Sequence, residues 1–193
     1  PFGKEMVNPS IETVKRLPER IAGAEIIKLE VPTIRYKSLQ VIEEAIIRHD
    51  PDVILSVGQA GGRSDISVER IGINVDDFRM EDNEGNQVTD EPVFPEGPDA
   101  YFVNLPVKSM VSRILERSIP ASVSNTAGTF VCNHVTYGVR HLTATKYPGK
   151  RSGFIHIPYL PQQAAGKKNT PSMSQDLMVE AIVAAIEAIV ETI

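Results

Sequence analysis

Hydrophobic residues follow two different spacings along this chain, and segments with the two spacings alternate. Three segments place apolar side chains on one helical face: Lys37 to Arg48, Val107 to Glu116 and Gln175 to Ile193. The run from Asp52 to Val57 is almost continuously apolar, which predicts a strand buried on both faces. The same criteria predict further strands at residues 25–31, 66–75, 121–125 and 153–158, and further helices from Pro9 and over residues 131–145.

Strands that alternate with helices of ten or more residues are typical of an α/β fold with a mostly parallel, doubly wound sheet. The sequence Asp82-Asn-Glu-Gly-Asn86 is a strong turn signal, and it predicts the tip of a β-hairpin. No internal repeat, linker or low-complexity stretch interrupts the pattern. Residues 1–193 are therefore predicted to form a single domain, which is long enough to bury a substantial core.

The composition argues against several classes of protein. Hydrophobic residues make up 41% of the chain and charged residues 23%, which is the balance of a folded globular protein. The net charge of −5 is spread along the chain and no cluster of Lys and Arg occurs, so nucleic acid is not an expected partner. Charges interrupt the apolar stretches well short of the ~20 residues that span a bilayer, so a membrane is not an expected partner either.

Cys132 is the single cysteine of the chain, so it cannot form an internal disulfide. A lone thiol fits a reducing compartment. Two interpretations are open: Cys132 is a small buried hydrophobic residue, or it is a nucleophile. The helix predicted at residues 131–145 places it in the first helical turn, where unpaired N–H groups and the helix dipole favour a thiolate and can hold an oxyanion.

Three loops are expected to meet near this thiol, because the carboxyl ends of the strands in an open α/β sheet form the usual binding edge. One follows Val57 and reads Gly58-Gln-Ala-Gly-Gly62. Another leads from Asn125 into the helix of Cys132, and the third follows the strand that stops at Pro158. Side chains on these loops are candidates for one cleft.

His156 is the best candidate for a base, since it lies on the third of these strands among apolar neighbours. The alternative is a buried histidine that is bonded to a backbone carbonyl. His49 and His141 are expected to face solvent. His134 is expected to point away from the thiol, because two residues turn a helix by about 200°.

Glu69 is a charged residue inside a largely apolar run. Two roles are open for it. It forms an ion pair with Arg63 or Arg70, or it is the carboxylate that orients the histidine of a catalytic triad.

Other chemistries have less support in the sequence. One cysteine and four scattered histidines give no ligand set of the structural zinc type, so no metal site is predicted. The glycines after Val57 are not followed by Gly-Lys-Ser or Gly-Lys-Thr, so a phosphate loop is not favoured. A phosphate-dependent transferase similar to nucleoside phosphorylases is therefore the weaker alternative.

Three motifs resemble those of one enzyme family, type I pyroglutamyl peptidase, also called pyrrolidone-carboxylate peptidase. Gly58-Gln-Ala-Gly-Gly-Arg-Ser-Asp-Ile-Ser-Val-Glu-Arg-Ile-Gly-Ile-Asn74 resembles its glutamate signature. Ser124-Asn-Thr-Ala-Gly-Thr-Phe-Val-Cys-Asn-His134 resembles its cysteine signature, and Phe154-Ile-His-Ile-Pro-Tyr-Leu-Pro161 its histidine segment. Pro1-Phe-Gly and Val7-Asn-Pro-Ser resemble its N-terminal loop, so the similarity extends over essentially the whole chain.

The resemblance implies a three-layer α/β/α sandwich with a twisted sheet, and a catalytic triad of Cys132, His156 and Glu69. It implies a cytoplasmic homotetramer without a cofactor that cleaves N-terminally pyroglutamylated peptides. A catalytically silent member that only binds such peptides is the alternative. The residues that match the family's pyroglutamyl pocket are Phe2, Asn8, Gln59, Arg79, Met80, Phe130 and Val131.

The N-terminus departs from the family pattern. Members of the family begin with a strand and a Gly-Phe-Asp stretch before Pro-Phe-Gly, whereas this sequence opens at Pro1. Lys4 stands where a second glycine is common, which affects only the loop geometry. We therefore expect residues to precede Pro1 in the full protein.

Overall fold

A computed structural model describes Gly3 and residues 5–193 of the chain. The described helices are α1 (Pro9–Lys15), α2 (Lys37–His49), α3 (Val107–Glu116), α4 (Val131–Thr145), α5 (Pro161–Ala164) and α6 (Gln175–Thr192). The described strands are β1 (Arg20–Ile21), β2 (Ala24–Glu25), β3 (Val53–Gln59), β4 (Ile66–Glu69), β5 (Ile71–Ile73), β6 (Ala100–Phe102), β7 (Ala121–Ser124) and β8 (Arg151–Ile157). The helices predicted at residues 37–48, 107–116, 131–145 and 175–193 are all present.

The central sheet has the strand order β3-β8-β4-β7. Strand β3 is parallel to β8 and β4 is parallel to β7, whereas β4 and β8 are antiparallel. Two small antiparallel pairs, β1 with β2 and β5 with β6, lie outside this sheet. The predicted α/β class with a mostly parallel sheet is confirmed.

Helices cover both faces of the central sheet and give the molecule three layers. On one face α1, α3 and α6 bury a core that is rich in Ile, Ala and Met, because these helices carry their apolar residues at helical spacing. On the other face α2 and α4 bury a smaller core. The buried residues of this core are Leu39, Ile42, Ile46, Phe78, Val131, Val135, Val139 and Phe154. The three-layer α/β/α sandwich is thereby confirmed.

The strand predicted at residues 25–31 is wrong for most of its length. Only Ala24–Glu25 forms a strand, β2, and residues 26–31 have no strand partner among the described residues. Ile27 and Leu29 remain 48% and 41% exposed. Alternating apolar positions indicate which side chains can share a face, but a strand also requires a neighbouring backbone, which spacing alone does not report.

The predicted chain reversal at Asp82–Asn86 is confirmed. The N–H of Asp82 donates to the carbonyl of Asn86 at 3.0 Å, and the Asp82 carboxylate accepts from the N–H groups of Glu84 and Asn86. An isolated antiparallel bridge joins Asp76 and Glu91 on the two arms. Residues 76–91 therefore form a hairpin excursion, and an aspartate turn closes its tip.

Within the part of the chain that is described, no helix has both the length and the apolar character required to cross a bilayer.

Candidate active site

The central sheet brings two of the predicted residues, His156 and Glu69, close together. In the β3–β8 register Gly58 lies beside His156, near the carboxyl ends of both strands. On the other side of β8, Ser67 lies beside His156 and Glu69 lies beside Phe154, because β4 runs antiparallel to β8. His156 is thus flanked by the two strands that carry the glycine loop and the glutamate.

Helix α4 delivers the thiol to the same place. Phe130 is extended, with φ −93° and ψ −168°, and α4 begins at Val131, so Cys132 is the second helical residue. A Cβ added to Gly58 would lie 3.2 Å from the sulfur of Cys132 and 2.6 Å from the ring of Phe154. The sulfur therefore rests over a bare backbone position whose neighbour across the sheet is His156, and a side chain at residue 58 would occupy that space.

His156 is almost fully buried and hydrogen-bonded. The residue is 3% exposed, and its Nδ1 lies 2.7 Å from Oε1 of Glu69. Burial, the strongest single influence, would lower the pKa of His156. The negative charge and hydrogen bond of Cys132, together with those of Glu69, outweigh burial and raise this pKa to about 9. The arrangement thus favours a protonated imidazole at His156.

The carboxylate of Glu69 is bonded both to an arginine and to the histidine, so the two contacts that the sequence left open as alternatives occur together. Glu69 is fully buried. Its Oε1 accepts from Nδ1 of His156 and, at 2.6 Å, from a guanidinium nitrogen of Arg63. Burial would raise the pKa of Glu69, but hydrogen bonds and the charge of His156 hold it below the ordinary value. Arg63 also donates to the carbonyl of Thr126 at 2.9 Å, which ties the glutamate to the loop that precedes α4.

The start of α4 supplies backbone donors beside the sulfur. The first N–H groups of a helix have no partner within the helix, whereas His134 already donates from its N–H to the carbonyl of Phe130 at 3.1 Å. The preceding loop turns through Gly128, at φ +79°. Thr129 fixes the loop by donating from its hydroxyl to the carbonyl of Asp77 at 2.7 Å. The donors at residues 131–133 are therefore held in a defined place for a developing oxyanion.

A cavity of about 440 Å³ opens beside Cys132 and continues along β3. Four residues of the expected pocket line it with the thiol, namely Asn8, Gln59, Phe130 and Val131. Two more of the expected residues are not among its lining. Arg79 is exposed, and the end of the Met80 side chain packs close to Gly3. Phe2, also expected there, lies outside the described residues.

The lining residues come from different parts of the chain, and some of them also make local contacts that support the fold. Asn8 is the N-cap of α1, where its side-chain oxygen accepts from the N–H of Ser10 at 3.0 Å. Phe130 packs edge-on against Phe78, with ring centroids 4.8 Å apart. Gln59 ends β3 and is 7% exposed. The lining of the cavity is mostly apolar, and Asn8 and Gln59 are among its polar residues.

Arg35, Asp76 and His134 form a second buried charged cluster, which contacts α4 through His134. No pattern in the sequence indicated it. Oδ2 of Asp76 accepts from Nδ1 of His134 and from Nε of Arg35, each at 2.8 Å. Arg35 also pairs with Glu91 at 2.6 Å. His134 is fully buried here, and its described side-chain hydrogen bond goes to Asp76 and not to Cys132. The cluster anchors the helix of Cys132 to the hairpin excursion.

No group of three or more His, Cys, Asp or Glu side chains with the geometry of a metal site occurs among residues 3 and 5–193.

The pKa of His156 provides a test of the pairing with Cys132. Because its pKa lies above the reference of 6.5, the charge on His156 stabilises the fold fully below about pH 6.5, and this contribution is lost as the pH rises through about 9. NMR titration of the imidazole resonances should give a midpoint near 9 in the wild type and a lower one in Cys132→Ala. An unchanged midpoint would mean that the thiol does not hold the proton on His156.

A thiol, an imidazole and a buried carboxylate that meet at the strand ends of an α/β sheet define the class of cysteine peptidases and related thiol hydrolases. Comparison with known proteins narrows this class. A family model described as pyroglutamyl peptidase matches residues 1–192. The chain therefore belongs to the pyroglutamyl peptidase family, and it is a hydrolase of the cysteine peptidase type.

Individual relatives agree with this assignment. The pyrrolidone-carboxylate peptidase of Fusobacterium nucleatum is 59% identical over 189 residues, which cover 98% of this chain and 88% of that protein. The protein of the same name from Treponema denticola is 59% identical over 195 residues, covering 99% of this chain and 90% of the relative. The resemblance seen in the three sequence motifs is thus confirmed.

Solved structures match equally well. The crystal structure of pyroglutamyl peptidase I from Bacillus amyloliquefaciens superposes with a TM-score of 0.95 at 48% identity, covering 99% of this chain and 93% of that chain. The pyrrolidone carboxyl peptidase of Pyrococcus furiosus superposes with a TM-score of 0.96 at 42% identity, covering 100% and 95%.

Proposed function

We propose that this chain hydrolyses the amide bond that follows an N-terminal L-pyroglutamyl residue of peptides, through a thioester on Cys132. The observation that supports this most strongly is the placement of the Cys132 sulfur over Gly58, beside a buried His156 that is bonded to Glu69. Membership of the pyroglutamyl peptidase family supplies the substrate class.

Acylation is the first half of the proposed reaction. The Cys132 thiolate attacks the pyroglutamyl carbonyl carbon, and the carbonyl oxygen becomes an oxyanion that accepts hydrogen bonds from the N–H groups at the start of α4. The C–N bond then breaks, and the imidazolium of His156 gives its Nε2 proton to the departing amine. Glu69 keeps the ring in position through Nδ1. The products of this half are the free amine and the thioester.

Deacylation regenerates the enzyme. The neutral His156 accepts a proton from a water molecule, whose oxygen attacks the thioester carbonyl. The C–S bond breaks, the thiolate of Cys132 leaves, and pyroglutamic acid is released. The imidazolium that results is the form that the raised pKa of His156, about 9, favours.

The cavity gives a physical reason for choosing pyroglutamate. The pyroglutamyl ring is a flat, neutral lactam, which fits a mostly apolar slot with a few polar contacts. We assign Phe130 and Val131 to the apolar wall, and Asn8 and Gln59 to the polar contacts, since all four line the cavity with the thiol. The family resemblance adds the remaining three predicted residues, Phe2, Arg79 and Met80.

A matched pair of reporters tests this substrate assignment. The wild-type protein should release aminomethylcoumarin from its pyroglutamyl amide at least about a hundredfold faster than from its prolyl amide, because the prolyl ring has the same size but brings a charged ammonium into the slot. Hydrolysis is followed by fluorescence, without and with added phosphate. Equal rates for the two reporters would refute lactam selection, and dependence on phosphate would favour the transferase alternative.

For assembly and location we propose the cytoplasmic homotetramer that the resemblance implies. The single cysteine fits a reducing compartment. Light scattering of the purified chain should give about four times the chain mass of 21.2 kDa, and a monomeric mass would contradict the assembly.

A further inference from the structure

Gln163 makes an unusually complete set of side-chain hydrogen bonds for a partly exposed glutamine. It lies in α5, shortly after the strand that carries His156. Its side-chain oxygen accepts from the N–H of Leu160 at 3.0 Å. Its NH₂ group lies 3.0 Å from a carboxylate oxygen of Glu5, 3.1 Å from the carbonyl of Val7 and 3.0 Å from the side-chain oxygen of Gln59.

The orientation of this amide follows from its neighbours. A backbone N–H can only donate, so Leu160 requires the oxygen of Gln163 on its side. A backbone carbonyl and an ionised carboxylate can only accept, so Val7 and Glu5 require the NH₂ group on the other side. The two hydrogens of that group are shared among three acceptors. Gln163 therefore accepts with one side of its amide and donates with the other, which a side chain with donors alone cannot do.

The three acceptors belong to two different segments of the chain. Glu5 and Val7 lie in the segment that leads into α1, and Gln59 lies at the carboxyl end of β3. Each segment contributes a residue to the cavity at Cys132: Asn8 directly after Val7, and Gln59 itself. Gln163 thus fixes two parts of the cavity wall with respect to each other.

A second contact from the same region supports this link. Lys167 lies 2.5 Å from the other carboxylate oxygen of Glu5, and its ammonium group sits 4.1 Å from the centroid of the Tyr159 ring. The hydrogen bond from Lys167 lowers the pKa of Glu5 against the opposing effect of burial, with a smaller contribution from Gln163. The carboxylate therefore stays an acceptor for Gln163 around neutral pH.

We propose that Gln163 is a positioning residue for substrate binding: its NH₂ group clamps the segment at residues 5–8 to the end of β3 and thereby shapes the pyroglutamyl slot. This inference rests on the proposed function, because the slot is defined by that substrate. Gln163 does not touch Cys132, His156 or Glu69 in any described contact. Its loss should therefore weaken substrate binding while leaving the reactivity of the thiol intact.

Two variants with opposite chemistry test the clamp. Gln163→Met keeps the size but cannot donate, and the KM for pyroglutamyl-aminomethylcoumarin should rise about tenfold. Gln163→Glu turns a carboxylate toward three acceptors, so its KM should rise further, to about a hundredfold. Gln162→Glu is the matched control, since the adjacent Gln162 is exposed and the change of charge is the same. Its KM should stay within about twofold of the wild type.

Alkylation of Cys132 by iodoacetamide separates positioning from general damage. The rate should be unchanged in both Gln163 variants, because the thiol and its histidine are untouched. In the double variant Glu5→Gln with Gln163→Glu the donor and the acceptor are exchanged, so part of the lost affinity should return.

The outcomes separate this inference from the proposed function. A wild-type protein that cleaves the reporter, with Gln163 variants of unchanged KM, would overturn the clamp alone. A fall in alkylation rate that matches the loss of activity would also overturn it, because the effect would then reach the thiol. A wild-type protein that does not cleave the reporter would overturn both.

Discussion

Replacing Cys132 by serine should lower kcat/KM for pyroglutamyl-aminomethylcoumarin by about 10⁴-fold or more. The serine hydroxyl has nearly the same size as the thiol, but it does not ionise near neutral pH. The contribution of Cys132 to the raised pKa of His156, about 9 in the wild type, would therefore be lost. Fluorescence assays at enzyme concentrations high enough to detect the residual rate would measure the effect.

The fold should survive this substitution, which makes the loss interpretable. Cys132 is half-buried and the replacement is nearly isosteric, so the thermal midpoint should move by only a few degrees, about the shift that ~1 kcal/mol produces in a domain of this size. If the serine variant and the wild type cleaved the reporter at equal rates, Cys132 would not be the nucleophile. A burst of product without turnover in the wild type would instead indicate slow deacylation.

Glu69→Gln should lower kcat by about 10² to 10⁴-fold, which is the second largest effect expected. The substituted amide can present its NH₂ group to Nδ1 of His156, which would place the proton on Nε2 and remove the base from the sulfur. The variant also removes the charge that helps to keep His156 protonated and leaves Arg63 without its carboxylate partner. Steady-state kinetics and an alkylation assay of Cys132 would measure both consequences.

A matched control for this variant lies four residues earlier. Asp65→Asn makes the same change of charge at a half-buried carboxylate that accepts from the hydroxyl of Ser67 at 3.1 Å. It should cost less than about tenfold in kcat, since Asp65 does not contact His156 in any described hydrogen bond. A Glu69→Gln variant that fell within the range of this control would show that the carboxylate does not orient the base.

Much of the site could be predicted from the sequence because its parts lie at recognisable places in the elements. The helix at Val131–Thr145 and the strand through His156 follow directly from the spacing of apolar residues. They place Cys132 at the start of a helix and His156 near the end of a strand. The role of Glu69 could not be decided in the same way. Its carboxylate accepts from Arg63 and from His156 at once, and the spacing of one strand does not report which side chains converge on it from others.

His141 shows the same limit of sequence reasoning. It was expected to face solvent, yet its ring stacks on Phe94 with centroids 4.2 Å apart, and its Nδ1 lies 3.2 Å from the hydroxyl of Tyr101. Burial lowers its pKa. Helical periodicity describes only the helix itself, so it cannot show that Phe94 and the β6 residue Tyr101 cover this side of α4.

The buried cluster of Asp76, His134 and Arg35 and the clamp at Gln163 were missed for a related reason. The hydrogen bonds of the cluster join residues that are 41 and 58 positions apart, and those of the clamp span up to 158 positions. A polar side chain carries no periodic signal when its partner lies on another segment. Such contacts become visible only when the layers are assembled.

The position of the sole thiol has a practical consequence for quantifying the protein. Cys132 is half-buried over Gly58 and has no second sulfhydryl in the sequence to compete with it. One mole of a chromogenic disulfide reagent consumed by this sequence therefore counts one mole of reactive Cys132. This count is all the more useful because the chain contains no Trp and only five Tyr, so its ultraviolet absorbance is weak.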